Sequence, residues 1–125
     1  MSALRKGTCH CGGVEFTVRL ENGLENLRRC NCSLCRRKGA IMAMAPLDAL
    51  TVTRGAELLT LYTWNTGVAK HYFCKVCGIY THHQRRSNPA QFGFNVACIE
   101  GVDPFALTGV EIADGASQTL IGKTR

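Results

Sequence analysis

Seven of the eight cysteines lie in three short clusters, a spacing typical of metal ligands. A closed structural zinc site uses four thiolates, so seven thiols exceed the needs of one such site. The three that remain match a catalytic zinc, which has three protein ligands and one position for water or substrate. The spacing therefore predicts an enzyme as well as a zinc-stabilised fold. The clusters are Cys9-His10-Cys11, Cys30-Asn31-Cys32-Ser33-Leu34-Cys35 and Cys74-Lys75-Val76-Cys77.

The first and third clusters are each followed directly by glycine, at Gly12 and Gly78. Glycine takes positive φ without strain, which lets the backbone turn tightly around a metal ion. One zinc shared by these clusters would tie the N-terminal strand to the middle of the chain. Spacing alone leaves two disulfides or unrelated thiols as alternatives. No apolar signal-peptide segment follows Met1, so we expect a reducing, cytoplasmic environment that favours metal binding over disulfides.

The middle cluster can wrap three sulfurs around one ion, with the fourth position supplied by water, substrate, Cys98 or a histidine. Strand alternation puts Cys98 on an apolar face, so we expect it in the core. His82 and His83 should point to opposite faces of one strand. One of the two could therefore face the second metal and act as a general base.

The elements that must position these clusters are mostly strands. Alternation at 14–20 predicts a half-buried strand, and 41–45 is apolar on both faces, as in a fully buried strand. Helix is predicted only as short turns, from Ser33 to Lys38 before Gly39, and at 103–107 with Asp103 as cap. A single domain, 1–125, is expected, with its motifs in 4–104 and a partly ordered tail at 105–125. Further strands are predicted at 50–53, 58–64, 69–73, 79–84 and 92–99.

The charge and hydropathy of the sequence limit the kinds of binding partner that we expect. No apolar run is long enough to span a bilayer, so no membrane partner is expected. The formal charge of +6 falls to about +3 if seven thiolates bind two zinc ions, so specific nucleic-acid binding is not expected. The basic residues in short runs are candidates for binding an acidic substrate. They are Arg36, Arg37, Lys38, Arg85 and Arg86.

Three blocks of the sequence resemble the signature blocks of one family, the glutathione-dependent formaldehyde-activating enzymes, which include centromere protein V. The likeness runs from about Leu4 to about Pro104, and Phe94 to Ile99 resembles the family's closing strand. The blocks are Gly7-Thr8-Cys9-His10-Cys11-Gly12-Gly13-Val14, Cys30-Asn31-Cys32-Ser33-Leu34-Cys35-Arg36-Arg37-Lys38-Gly39 and His71-Tyr72-Phe73-Cys74-Lys75-Val76-Cys77-Gly78.

The resemblance implies a mainly β structure, a β-tent of small antiparallel sheets stapled by a four-cysteine zinc site. It pairs Cys9, Cys11, Cys74 and Cys77 around a structural zinc, and gives Cys30, Cys32 and Cys35 a second, open zinc where the chemistry occurs. It also implies carbon–sulfur lyase or synthase activity on a small thiol adduct. The family's named reaction joins formaldehyde to glutathione as S-(hydroxymethyl)glutathione, or cleaves that adduct. A three-thiolate site should lose its zinc more readily than a four-thiolate one.

Three other interpretations fit parts of the pattern. The fold permits a non-catalytic zinc module for protein interaction, which is the main alternative to an enzyme. A basic zinc-ribbon nucleic-acid binder is less favoured, because no stripe of aromatic residues accompanies the cations. A redox function of Cys74 and Cys77 is disfavoured, because thioredoxin-like sites lie in a βαβ context that the β-rich pattern lacks.

Overall fold

Two β-sheets and one short α-helix make up the computed structural model, which describes residues 3–64, 67–86 and 88–118. The mainly β prediction is confirmed. The described part contains no helix that is long and apolar enough to cross a membrane. The elements are β1 (Leu4–Thr8), β2 (Glu15–Arg19), β3 (Arg28–Cys30), α1 (Ser33–Lys38), β4 (Met42–Pro46), β5 (Leu50–Arg54), β6 (Leu59–Tyr62), β7 (Lys70–Cys74), β8 (Tyr80–Gln84), β9 (Gln91–Asn95) and β10 (Glu111–Ala113).

The smaller sheet has the order β1-β2-β5 and is antiparallel throughout. The larger sheet has the order β10-β3-β4-β9-β8-β7-β6, and β10 is its one parallel neighbour within the described residues. An isolated bridge joins Gly7 of β1 to Ile99, a few residues after the end of β9. Gly7 leaves room for the buried Phe16 ring, because a Cβ here would lie 2.5 Å from that ring.

The strand β4 lies between the main core and the opposite face of the larger sheet. Its first four residues are all buried, as the apolar run at 41–45 predicts. Ala43 and Ala45 pack in the core with Phe16 and Phe94. Met42 and Met44 point to the other face, beside Tyr80. The two alanines thus let the two sheets approach each other on the core face of β4, and the two long, flexible methionines line its opposite face.

The predicted last strand is too long, because β9 ends at Asn95 and a 3₁₀ turn covers Val96–Cys98. Asn95 causes this change of direction, since its side chain accepts a hydrogen bond from the Ala97 amide. Cys98 nevertheless packs against the main core as expected, and its thiol lies 3.8 Å from the Tyr80 carbonyl oxygen.

A β-bulge in β8 decides which side chains face which side of the larger sheet. Tyr72 pairs with His82 and Phe73 pairs with Tyr80, so Thr81 is the extra residue. Regular alternation would put Tyr80 on the same face as His82. The bulge instead puts it beside His83, whose Nδ1 is hydrogen-bonded to the Tyr80 hydroxyl.

Within the tail, β10 extends the larger sheet beside β3, and a 3₁₀ turn covers Gly115–Gln118. Residues 119–125 of the predicted tail lie outside the described residues. The predicted turn at 103–107 is confirmed as a 3₁₀ turn at Pro104–Ala106, with the Asp103 side chain as its cap.

Burial of His82 makes stability depend on pH. Its ring is 3% exposed, stacks on Tyr72, and has a pKa lowered by burial to about 4. Between about pH 6.5 and 4 the unfolded chain binds a proton at this position and the folded chain does not. The free energy of unfolding should therefore fall as the pH falls through this range, by up to about 1.4 kcal/mol per pH unit from His82.

The His82→Asn variant should lose this contribution, which chemical denaturation at several pH values would show as a shallower pH dependence. Wild type and variant must carry the same metal content, because acid also protonates cysteine ligands. His10→Asn, which removes an exposed histidine, is the control. Equal slopes for wild type and His82→Asn would contradict the assignment.

Candidate metal centres and active-site cavity

The first and third cysteine clusters come together as one group of four sulfurs, all within 4.8 Å of one another. The Sγ atoms of Cys9 and Cys11 are 3.6 Å apart, and those of Cys11 and Cys74 are 3.7 Å apart. Sulfurs about 2.3 Å from a tetrahedral zinc would be separated by about 3.8 Å. The donor type, number and spacing therefore fit a tetrahedral metal ion held by Cys9, Cys11, Cys74 and Cys77.

Backbone amides stabilise negative charge on this four-sulfur group. Val14 N donates to the Cys9 sulfur at 3.3 Å, Gly13 N to Cys11 at 3.4 Å and Val76 N to Cys74 at 3.4 Å. Gly12 and Gly78, each at a φ of 79°, provide the tight turns expected from the sequence. Burial opposes ionisation of Cys77, but backbone hydrogen bonds outweigh it and lower the pKa of the thiol to about 6.

The middle cluster forms a second group, in which the sulfurs of Cys30, Cys32 and Cys35 also lie within 4.8 Å of one another. Within the described part of the chain, no fourth cysteine, histidine or carboxylate donor joins them. Cys30 ends β3, and Cys32 is the N-cap of α1, with its sulfur accepting a hydrogen bond from Cys35 N at 3.3 Å. The predicted helix at Ser33–Lys38 is confirmed, and its N-cap is Cys32. Gly39 ends the helix in the left-handed conformation, as expected.

Ionisation of the three thiols is strongly coupled. Hydrogen bonds from Cys30 and then Cys35 lower the pKa of Cys32 to about 2, despite burial. Hydrogen bonds with the same neighbours, Cys30 first, raise the pKa of Cys35. Three thiolates this close repel one another, so all three ionise together only with a cation between them. The group thus fits a metal ion that is held by three thiolates.

The tail covers one side of the second group, and Asn31 fixes it there. The Asn31 amide donates to the Asp114 carboxylate at 3.1 Å, and its carbonyl oxygen accepts from Ala116 N at 3.0 Å. Gly115 lies so close to the sulfurs that a Cβ on it would be 2.4 Å from the Cys30 sulfur. This contact has no signature in the sequence, because it depends on the pairing of β10 with β3.

The three sulfurs open onto a cavity of about 290 Å³, close to the lower limit of about 300 Å³ typical of small-molecule sites. None of the four cysteines of the first group lines this cavity. Its apolar wall includes Met42, Met44 and Trp64, and its polar wall includes His71 and His83. The two sulfur groups therefore differ in their access to small molecules.

Only some of the predicted substrate-binding cations lie at this cavity. Lys38, Arg85 and Arg86 line it. Arg36 and Arg37 are on the exposed side of α1, where Arg37 donates to the Ser33 carbonyl oxygen at 2.7 Å.

One cation at the cavity, Arg28, is a residue that sequence reasoning missed. Arg28 lies two residues before Cys30, and alternation along the observed strand β3 places both side chains on one face.

A cluster of polar rings surrounds the Lys38 ammonium. Its Nζ lies 3.4 Å from the Tyr80 ring centroid and 3.4 Å from His71 Nδ1. The His71 and His83 rings stack, with centroids 5.2 Å apart. Burial lowers the pKa of both imidazoles, that of His71 to about 4, so both are neutral at pH 7. As predicted, His82 and His83 point to opposite faces of their strand. His83 faces the cavity and His82 faces the core.

Comparison with known proteins agrees with these features. The model of the family described as glutathione-dependent formaldehyde-activating enzyme matches residues 4–109. The chain therefore belongs to the glutathione-dependent formaldehyde-activating enzyme family.

One curated relative and one solved structure are similar to the chain. A Halomonas elongata protein, whose name assigns it provisionally to the glutathione-dependent formaldehyde-activating enzymes, is 34% identical over 83 residues. That match covers 59% of this chain and 52% of the relative, so the chain spans about half the length of the curated relative. The crystal structure of a Rhodobacter sphaeroides protein is 61% identical, with a TM-score of 0.83, and the match covers 86% of this chain and 99% of that one.

The contact between Gly115 and Cys30 predicts that a larger residue at position 115 will selectively weaken metal binding at the three-sulfur group. Gly115→Ala should displace Cys30 or the tail, because the added Cβ has no space beside the sulfur. Elemental analysis of purified variant should show loss of metal from the three-sulfur group and retention at the four-sulfur group. Ile112→Ala, in the same tail but 68% exposed, is the matched control. Unchanged metal content in Gly115→Ala would contradict this geometry.

Proposed function

We propose that the protein is a zinc-dependent carbon–sulfur lyase or synthase that acts on a small thiol adduct of the S-(hydroxymethyl)glutathione type. The family supports a glutathione-related function and an enzyme of the formaldehyde-activating class. The observation that carries the proposal is the difference between the two sulfur groups. Four sulfurs form a complete donor set away from the cavity, whereas three line the cavity.

In this proposal Cys9, Cys11, Cys74 and Cys77 hold a structural zinc, and Cys30, Cys32 and Cys35 hold the zinc that acts in catalysis. When bound, such an ion lowers the pKa of a thiol that binds to it and polarises a carbonyl group. The substrate thiol and formaldehyde combine by forming one carbon–sulfur bond, while the thiol proton is transferred and the carbonyl oxygen becomes a hydroxyl. Cleavage is the reverse.

The chain's own residues would orient the reactants. His83 lines the cavity as a neutral imidazole that can hydrogen-bond to them, and the Tyr80 hydroxyl fixes its ring through Nδ1. The Lys38 ammonium lies beside the thiols and offers positive charge to a developing oxyanion. Met42, Met44 and Trp64 limit the water around the reacting atoms.

The competing interpretation from the sequence, a non-catalytic interaction module, requires no cavity at the three-sulfur group. A cytoplasmic location and the lack of a specific nucleic-acid partner stay predictions.

Cys32→Ser separates the catalytic from the structural role of the second group. A serine hydroxyl is a favoured N-cap acceptor, so α1 should keep its cap while the site loses a thiolate. Turnover of glutathione with formaldehyde, followed by NMR in both directions, should fall by at least about a hundredfold. The circular dichroism spectrum and the metal of the four-sulfur group should be retained.

Cys98→Ser is the control, because Cys98 belongs to neither sulfur group, and it should keep its activity. Cys74→Ser should instead destabilise the fold, because Cys74 is fully buried in the four-sulfur group. Full activity in Cys32→Ser, or unfolding of that variant, would contradict a catalytic role for the three-sulfur group.

A further inference from the structure

Positive side chains dominate the polar wall of the cavity. Arg28, Lys38, Arg85 and Arg86 all line it, and no aspartate or glutamate is among its described lining residues. Such a wall is suited to a negatively charged ligand group, since several cations in a partly desolvated site attract an anion strongly.

Arg28 is the cation whose hydrogen bonding is least complete. It is half-buried on β3, and its Nε is fully buried with no hydrogen-bond partner in the described part of the chain. Its neighbours in the sheet register are Met42 on β4 and Glu111 on β10, yet Glu111 forms no described ion pair with it. A buried guanidinium nitrogen without a partner is costly, and a ligand oxygen would remove that cost.

Arg85 completes the pair from the end of β8. The Gln91 side-chain oxygen holds its Nη1 at 2.5 Å, which fixes the guanidinium. Arg28 and Arg85 line the same cavity of about 290 Å³, which brings the two guanidiniums near each other. Burial and then repulsion from Arg28 lower the pKa of Arg85. A carboxylate between them would offset the repulsion and accept charge-assisted hydrogen bonds from both.

We infer that Arg28 and Arg85 form a carboxylate subsite, so the substrates are small thiols that carry a carboxylate, and their adducts. This inference rests on the proposed function, since it places the substrate sulfur at the three cysteines in the same cavity. Because the cavity is small, the substrate's carboxylate and its sulfur must lie close together. The substrate is therefore a short molecule, or one end of a longer molecule. Arg28 is thus a specificity-determining residue.

Binding to the zinc-loaded protein, measured by titration calorimetry with three probes, tests the inference. The probes are 3-mercaptopropionate, which has both groups, 2-mercaptoethanol, which lacks the carboxylate, and propionate, which lacks the thiol. The wild type should bind 3-mercaptopropionate at least about tenfold more tightly than 2-mercaptoethanol, as expected for charge-assisted hydrogen bonds. Equal affinity for these two thiols would overturn the inference.

Arg28→Gln should abolish this preference while leaving the affinity for 2-mercaptoethanol unchanged. Arg36→Gln is the matched control, because it removes the same charge from an exposed position outside the cavity lining. Arg85→Gln provides a second test that does not depend on the folding of Arg28→Gln. A preference that survives in both cavity variants would overturn the inference.

The propionate arm distinguishes failure of the inference from failure of the proposed function. If the site takes carboxylates but activates no thiol, 3-mercaptopropionate will bind no more tightly than propionate, and Arg28→Gln will weaken both equally. If the site takes thiols without reading the carboxylate, the two thiols will bind equally and both more tightly than propionate. The first result supports the carboxylate subsite and contradicts the proposed function. The second result contradicts the carboxylate subsite and supports the proposed function.

Discussion

Repulsion among three neighbouring thiols is the constraint on which the second site depends. Cys30, Cys32 and Cys35 lie too close to ionise together unless a cation joins them, which is why one pKa falls to about 2 while another rises. The local backbone nevertheless holds them in place. The N-cap hydrogen bond of α1 fixes Cys32, and the tail held by Asn31 covers Cys30. The arrangement of the three sulfurs therefore fits a positive ion at this position.

The four-sulfur group supports this site through β7 and β8. Cys74 ends β7, four residues after that strand begins, and His71 lies on the same strand. The turn after Cys74 leads to Tyr80 and His83 on β8. A metal held by Cys9, Cys11, Cys74 and Cys77 would therefore fix both strands that carry the polar wall of the cavity. Loss of that metal would disturb the cavity without touching its three cysteines.

Local signals made the metal groups and most elements predictable. Cysteine spacing marked each cluster, and a directly following glycine marked the first and third. Period-two alternation marked β2, and Gly39 marked the end of α1. What the sequence did not reveal depends on tertiary structure. The β8 bulge moves Tyr80 to the side of His83, and parallel pairing with β10 brings Gly115 onto Cys30. Neither has a periodic or compositional signature, since both follow from how distant strands pair.

The most direct measurement for the central claim is the number of sulfur neighbours per zinc, obtained by X-ray absorption on the zinc-loaded protein with and without glutathione. Seven cysteine sulfurs shared by two ions should give a mean of about 3.5 sulfurs per zinc. That mean should rise to about 4 when a substrate thiol binds at the three-cysteine site. A mean of 4 without glutathione, unchanged when it is added, would contradict a site that is open to a substrate thiol.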